Sequence, residues 1–500
     1  MAAMGLIPVP TAYAGPPELE PGSGSGVRVV VLGAGLAGMT AAYELSKAGY
    51  ICTLLEARKR PGGRNWTLRR GDKVEEFDST QICSFDSGDH MYFNAGPARI
   101  PHHHKAVLGY CKQFGVPLEV MVNDNRATFF QSDAVFQGKP VRARQVMHDV
   151  RGFVAELLCK AINKNALEEE ISAGDKERML AFVRNFGALG KDYSYRGSSR
   201  AGYDEAPGAA LSRGRLSDPL SLKELLRSNF WQYQLHYSER FEQAPTMLQP
   251  VGGMDRIAYA FAERLAGSIT YGAVVKEIRK SGAGVRVIYA DETGRGSATE
   301  ADYAICTIPL SHLKAIPSDF SPDLKAAMAA CYYAKAAKIA FQADRRFWEE
   351  DYHIYGGITW TSRDITQIWY PSAGFHAAKG VLIGAYIWAD EIGESFGRMT
   401  PEQRLEAAVT SGEKIHSGYR ANVSSGIAVS WHKVPYSQGA WSEWGPDDRL
   451  VSYPILNQPD GPIHLAGEHL SYLTAWQEGA VLSAHSAVRA IAERVKARRG

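Results

Sequence analysis

The chain has 500 residues, 45% hydrophobic and 22% charged, with 56 basic against 54 acidic side chains and a net charge of +2. That length exceeds one ordinary core and implies two or three domains. The near-balance of charge gives no reason to expect a polyanionic partner such as nucleic acid, and no apolar run approaches the roughly 18 residues that span a membrane.

The six cysteines (Cys52, Cys83, Cys111, Cys159, Cys306 and Cys331) include no C-x-x-C pair, which argues against a zinc site and a disulfide framework. A reduced, cytoplasmic protein is expected. Met1 to Pro21 lacks the basic start and sustained apolar stretch of a signal peptide, although a secreted or periplasmic precursor with a removed leader stays open.

Residues 1–26, rich in Pro and Gly and ending in Gly22-Ser23-Gly24-Ser25-Gly26, read as a flexible lead-in. Val27 to Leu32 is a β-branched run fit for a buried strand, Gly33 to Gly38 turns the chain, Met39 to Ala48 reads as a helix, and Tyr50 to Glu56 as a second strand. This is a β-α-β unit. Residues 141–249 carry helical spacing in Val146 to Leu158 and Glu177 to Phe186, with a loop-like Ser194 to Ser212 between helical stretches. Short strands return at Ile269 to Tyr271, Val285 to Tyr289 and Tyr303 to Ile308. Further strands follow at Lys338 to Gln342 and Val381 to Trp388, and a helix at Pro401 to His416. Pro462 to Leu465 reads as a last strand before a helix from about Gly479 to Arg494.

The fold class is therefore α/β, α+β overall. A discontinuous Rossmann-like nucleotide-binding domain is expected from 27–75, 250–325 and 452–495, and a mixed-sheet substrate-binding domain from 76–140 and 326–451. A helical insertion occupies 141–249.

Gly33-Ala34-Gly35-Leu36-Ala37-Gly38 is a G-x-G-x-x-G between a strand and a helix, answered by Glu56 23 residues after Gly33. The first glycine permits the turn, the second admits a pyrophosphate to the backbone, and the third lets helix pack on strand. The helix N-terminus supplies N–H groups and positive dipole. Glu56 is placed to accept from a ribose diol. This fingerprint does not separate FAD from NAD.

The next segment does. Arg58-Lys59-Arg60-Pro61-Gly62-Gly63-Arg64 resembles the R-x-G-G-R element of the flavin amine oxidase superfamily, and His464 to His469 resembles its late strand-Gly-Glu motif. The resemblance, carried by three ordered motifs over about 27 to 495, implies FAD as cofactor. The implied FAD contacts are Gly33, Gly35, Leu36, Ala37, Gly38, Glu56, Ala57, Arg58, Gly63, Arg64, Val275, Gly467 and Glu468, with Ala480 and Val481 at the start of the final helix. Gly96-Pro97-Ala98-Arg99 resembles the L-amino acid oxidase element whose arginine binds the substrate carboxylate, and these four residues also belong to the implied FAD site. An α-carboxylate calls for a planar, two-donor, permanently charged partner.

By the same resemblance Tyr370 reaches that carboxylate and Lys338 holds a water at flavin N5. Ala475 and Trp476 meet both substrate and FAD, where the family often has glycine before the tryptophan. Arg99, Lys338 and Tyr370 are thus the implied catalytic residues, and Trp231 and Gln234 are candidates for the substrate pocket. No metal is expected. His102-His103-His104 cannot focus on one ion if helical, because consecutive side chains point about 100° apart.

The implied reaction is oxidative deamination of L-amino acids, with large or aromatic side chains, by hydride transfer from Cα to flavin N5. It gives 2-oxo acids, ammonia and hydrogen peroxide with O2 as acceptor. Asp390 and Glu391 leave a basic side chain open as the alternative. An amino acid 2-monooxygenase giving an amide uses the same motifs. An amine or polyamine oxidase would leave Arg99 unpaired, and a non-catalytic flavin scaffold would not need Arg99, Lys338 and Tyr370. The expected assembly is a homodimer or higher homo-oligomer.

Overall fold

The computed structural model describes residues 15–164, 172–282 and 284–499. Strand β1 (Arg28–Leu32) is the centre of a five-stranded sheet, because its run of Val and Leu is buried on both faces. Such burial suits a parallel sheet covered on both sides. β2 (Ile51–Glu56) and then Ile269–Tyr271 flank β1 on one side, with Tyr303–Cys306 and then Ile463–Leu465 on the other, all pairs parallel. Val29 and Val31 face helix α1 (Leu36–Lys47) and the helices Arg256–Arg264 and Gln477–Arg499. Val30 and Leu32 face the opposite layer, which includes the meander Val274–Ser281, Gly284–Ala290 and Gly296–Ala301.

The second sheet has seven strands in the order Val141–Arg142, Phe129–Gln131, Gly357–Thr361, Gln367–Tyr370, Gly380–Ile387, Ala337–Ala343, Val423–Ser430. Its strands are mainly antiparallel, with one parallel pair at Trp360–Phe130. Side chains alternate across it, so Trp369 packs toward the helical insertion and Tyr370 toward the layer holding Phe347, Trp348 and Ala408.

The insertion is built on α3 (Ala143–Asn163) and α4 (Ala173–Gly187), the latter started by Ser172, whose side chain accepts from the Asp175 amide. Within the stretch read as loop, Tyr203–Glu205 pairs with Arg215–Leu216 as a small hairpin. A second correction concerns the lead-in. Residues 1–14 lie outside the described residues, but Gly22–Gly26 forms turns held to the body: Gly24 donates to the Ala48 carbonyl, and Arg499 to the carbonyls of Ser23 and Ser25. The glycines at 22 and 26 supply positive φ, +78° and +81°, rather than freedom. Among the described residues no helix is long and apolar enough to cross a membrane.

Burial holds several imidazoles neutral. It lowers the pKa from 6.5 to about 4 for His464, His469 and His485, and to about 3 for His416. Unfolding frees these rings to take up protons near 6.5, which the folded chain refuses until about 4. The unfolded state therefore binds more protons in that window, and stability falls as pH falls through it. The melting temperature should be level just above pH 6.5 and drop steadily between there and 4; a flat profile over that window would contradict the assignment.

Candidate active site

The turn after β1 is shaped by backbone need. Gly33 sits at φ +103°, where an added Cβ would lie 2.8 Å from the Thr307 hydroxyl, and a Cβ on Gly38 would lie 2.0 Å from the Gly33 carbonyl oxygen. Gly35 differs. It has an ordinary φ of −72° as the residue capping α1, and a Cβ there would meet nothing within 4 Å. Its α-carbon borders open space.

That space is a two-chambered cavity. The larger chamber, about 320 Å³, and the smaller, about 100 Å³, share Gly35, Arg64 and Thr307 in their walls. The smaller is bounded by Gly33, Glu56, Ala57, Arg58, Gly63 and Val275. Glu56 is buried, and its two oxygens accept from the amides of Ala34 (2.8 Å) and Arg58 (2.9 Å). A carboxylate so held keeps lone pairs for a diol. The larger chamber is walled by Leu36, Ala37, Gly96, Pro97, Ala98, Arg99, Lys338, Gly467, Glu468, Ala475, Trp476 and Ala480.

Two residues read as FAD contacts line neither chamber. Gly38 packs helix on strand, and Val481 lies in the core behind Ala480, 1% exposed. On a helix the next residue turns about 100° away, so one of the pair faces the cavity and the other the core.

Glu468 organises the floor. It accepts from Arg64 Nη1 at 2.8 Å, Ser442 Oγ at 2.9 Å and the Ala475 amide at 3.2 Å. Burial would raise its pKa, but Arg64 beside it brings the carboxyl below its ordinary value. Ala475 adopts φ +69°, the region that favours glycine, at a cost of about 1 kcal/mol for a residue with a Cβ.

Arg99 is 8% exposed and lies between two indoles, its guanidinium carbon 4.8 Å from the Trp369 ring centre and 5.1 Å from that of Trp476. Its acceptors are neutral: Gln243 Oε1 at 2.7 and 3.2 Å, and the Tyr237 hydroxyl at 2.9 Å. Among the described residues no carboxylate forms an ion pair with it. Lys338 lies fully buried on the same wall, its Nζ donating to the carbonyls of Asn94 and Gly96 and sitting 4.2 Å from the Tyr386 ring centre. Burial, and then the charge of Arg99, pushes its pKa well below 10.5.

Three substrate-side expectations are corrected. Tyr370 turns away from the large chamber; its hydroxyl bonds Thr359 Oγ1 at 2.8 Å and His416 Nε2 at 2.6 Å. Trp369 faces Arg99, and strand alternation forbids both neighbours from doing so. Trp231 is 48% exposed, its indole donating to the Leu226 carbonyl, and Gln234 is absent from the chamber wall. Asp390 and Glu391 are exposed at the start of the helix Asp390–Arg398 and lie outside the wall too.

The residues missed include Tyr386, Trp388, Trp431, Trp441 and Gln243, which do line it. The i, i+2 spacing of Tyr386 and Trp388 within a recognised strand was the available signal. Nor is the histidine run helical. His103 and His104 precede α2 (Lys105–Phe114), and both Nε2 atoms reach Glu242 Oε2.

A parallel sheet with a glycine turn, a buried acid ending the second strand and a long cavity running to a buried arginine and lysine defines a dinucleotide-cofactor oxidoreductase. The sequence profile of flavin containing amine oxidoreductases matches residues 36–492, and the chain belongs to that family. FAD is its cofactor. The chain is 28% identical to an L-amino-acid oxidase of Siganus canaliculatus, covering 91% of this chain and 83% of that one. It is also 28% identical to the flavin-dependent L-tryptophan oxidase RebO of Lentzea aerocolonigenes, covering 93% and 98%. In fold it resembles cyclohexylamine oxidase from Brevibacterium oxydans, with a TM-score of 0.63 at 16% identity over 94% of this chain and 99% of that one.

Proposed function

We propose that the protein is an FAD-dependent L-amino acid oxidase, and that Arg99 anchors the substrate's α-carboxylate. The observation that carries this reading is the unpaired charge of Arg99 deep in the cavity. A buried cation without an anionic partner is costly, and a carboxylate entering the chamber relieves that cost. An amine substrate would not. Two L-amino acid oxidases among its relatives support the same choice.

FAD, when bound, supplies the two-electron oxidant, which O2 regenerates with formation of hydrogen peroxide. The protein's part is to position. Glu56, Ala57, Arg58, Gly63 and Val275 would hold the nucleotide end, and Gly35 with Arg64 the passage between chambers. Arg99 fixes the carboxylate, with the Tyr386 ring beside Lys338 as the neighbouring wall. The Ala475 carbonyl is the acceptor for the substrate amine. Lys338, its ammonium form disfavoured by burial and by Arg99, holds a water on the cofactor side. Alignment of donor and acceptor removes most of the entropic barrier.

Tyr386, Trp388, Trp431, Trp441 and Trp476 line the large chamber, and Glu468, engaged by Arg64, is its one carboxylate among the described residues. A large neutral side chain suits such walls. A basic one would lose hydration without an acidic partner, and only part of that loss is offset by cation–π contact, worth ~1–2 kcal/mol. Aromatic L-amino acids should therefore exceed L-Lys and L-Arg in kcat/KM by roughly tenfold or more. Turnover confined to L-Lys or L-Arg would contradict this.

The deciding experiment is product analysis under air with a panel of L-amino acids. Equimolar 2-oxo acid, ammonia and peroxide support the oxidase. An amide one carbon shorter, with carbon dioxide, would identify a 2-monooxygenase instead.

A further inference from the structure

The 3-10 turn Phe241–Gln243 closes the helical insertion and sets three consecutive side chains on the segment after Arg99. Phe241 lies on the His103 ring at 4.1 Å, Glu242 meets both His103 and His104, and Gln243 occupies two N–H groups of Arg99. The turn is a clasp between two parts of the chain, and its middle residue has the chemistry of a metal ligand.

We propose that His103, His104 and Glu242 form a binding site for a divalent transition metal ion of the zinc class, and that its occupancy holds Gln243 on Arg99 against the substrate carboxylate. The second half rests on the reading of Arg99 as the carboxylate anchor; the first does not.

Two imidazoles and a carboxylate are a recurrent zinc donor set. Here His103 Nε2 and His104 Nε2 stand 3.2 and 2.8 Å from the same Glu242 Oε2, and the three ligand atoms lie within 4.8 Å of one another. A tetrahedral ion with bonds of about 2.0–2.2 Å separates its donors by about 3.4 Å, so the carboxylate has to withdraw by a few tenths of an ångström and the donors, which span up to 4.8 Å, have to draw in around the ion. Glu242 has a side-chain exposure of 28% and His103 17%, which leaves a path for an ion and open coordination positions for water. His103 donates from Nε2 to Glu242, and its Nδ1 is buried without a protein partner, so the ring proton can pass to Nδ1 when an ion takes the place of that contact. The buried Glu478 carboxylate, bound to the amides of Ala106 and Val107, interacts electrostatically with both imidazoles. A divalent cation there meets the carboxylate of Glu242, while burial raises the pKa of Glu478 behind the imidazoles.

The metal ties Glu242 to the segment 103–104, and the adjoining Gln243 is tied with it. A substrate carboxylate that pairs with the Nε–Nη2 edge of Arg99 has to displace the Gln243 oxygen, so a fixed clasp competes with substrate there. The effect belongs in KM rather than kcat.

The test uses the flavin-loaded full chain, zinc chloride as the probe, isothermal titration, and the variants His103→Ala and Glu242→Gln. Glu242→Gln keeps the size and polar contacts of the side chain, and flavin content verifies its fold. The parent is expected to bind one equivalent of zinc, with affinity falling by about tenfold or more in each variant. Saturating zinc should raise the parent's KM for an L-amino acid at unchanged kcat and leave the KM of Glu242→Gln unmoved. Absence of one-equivalent binding in the parent, or unchanged binding in both variants, overturns the site. Stoichiometric binding without a rise in KM overturns the link to Arg99 and leaves the site standing.

Discussion

Arg99→Ala is expected to fold, to keep its flavin, and to lose roughly 10²-fold or more in kcat/KM for L-amino acids. The residue lies in the larger chamber, away from the glycine turn and the Glu56 end, so the contacts that hold the nucleotide end and retain the flavin stay in place. Removing one partner of a desolvated charge pair costs ~3 kcal/mol, at about 1.4 kcal/mol per factor of ten. Arg99→Lys should rescue only in part. A point charge cannot reproduce the flat guanidinium held between Trp369 and Trp476, nor its paired donors. Steady-state peroxide release, normalised to flavin, measures this. Unchanged kcat/KM in flavin-replete Arg99→Ala would remove the ground for preferring amino acids over amines.

Gly35→Ala should separate folding from cofactor binding. The backbone at Gly35 has an ordinary negative φ, and a methyl group there touches no protein atom, so the variant should melt like the flavin-free parent. The methyl instead enters the passage where the two chambers meet. Overpacking there costs about 1–3 kcal/mol, roughly a five- to 150-fold loss in FAD affinity. Gly38→Ala should behave oppositely, because its methyl would land 2.0 Å from the Gly33 carbonyl oxygen and disrupt helix on strand. Flavin absorbance per protein, with thermal melts of both variants, distinguishes them. A Gly35→Ala protein as fully flavinylated as the parent would refute the assignment of this passage to FAD.

The contrast between these two glycines was legible in the sequence because each answers a local demand. A strand, a tight turn and a helix start leave few residue choices, and the acid at the end of the next strand completes the pattern. Most cofactor positions follow from such local rules. The substrate side does not. Whether Trp369 or Tyr370 packs on Arg99 depends on the face that one short strand turns inward, which is set by the register of a seven-stranded sheet assembled from distant segments. One residue of slip exchanges the faces. Gln243 was equally hidden, since it reaches Arg99 across 144 residues of chain. The geometry of the histidine run was open for a related reason: its reading was conditional on a helix, and the helix starts one residue later, at Lys105.

The central claim is that this cavity is built for a carboxylate-bearing amine, and it is tested most directly by comparing kcat/KM for an aromatic L-amino acid with that for the same amine lacking its carboxylate. L-Tryptophan and tryptamine, assayed side by side for peroxide release, form a suitable pair. If Arg99 pairs with the carboxylate in the transition state, L-tryptophan should be favoured by ~10²-fold or more, the ~3 kcal/mol of a buried charge pair. Equal turnover, or preference for tryptamine, would contradict the account and make the protein an amine oxidase.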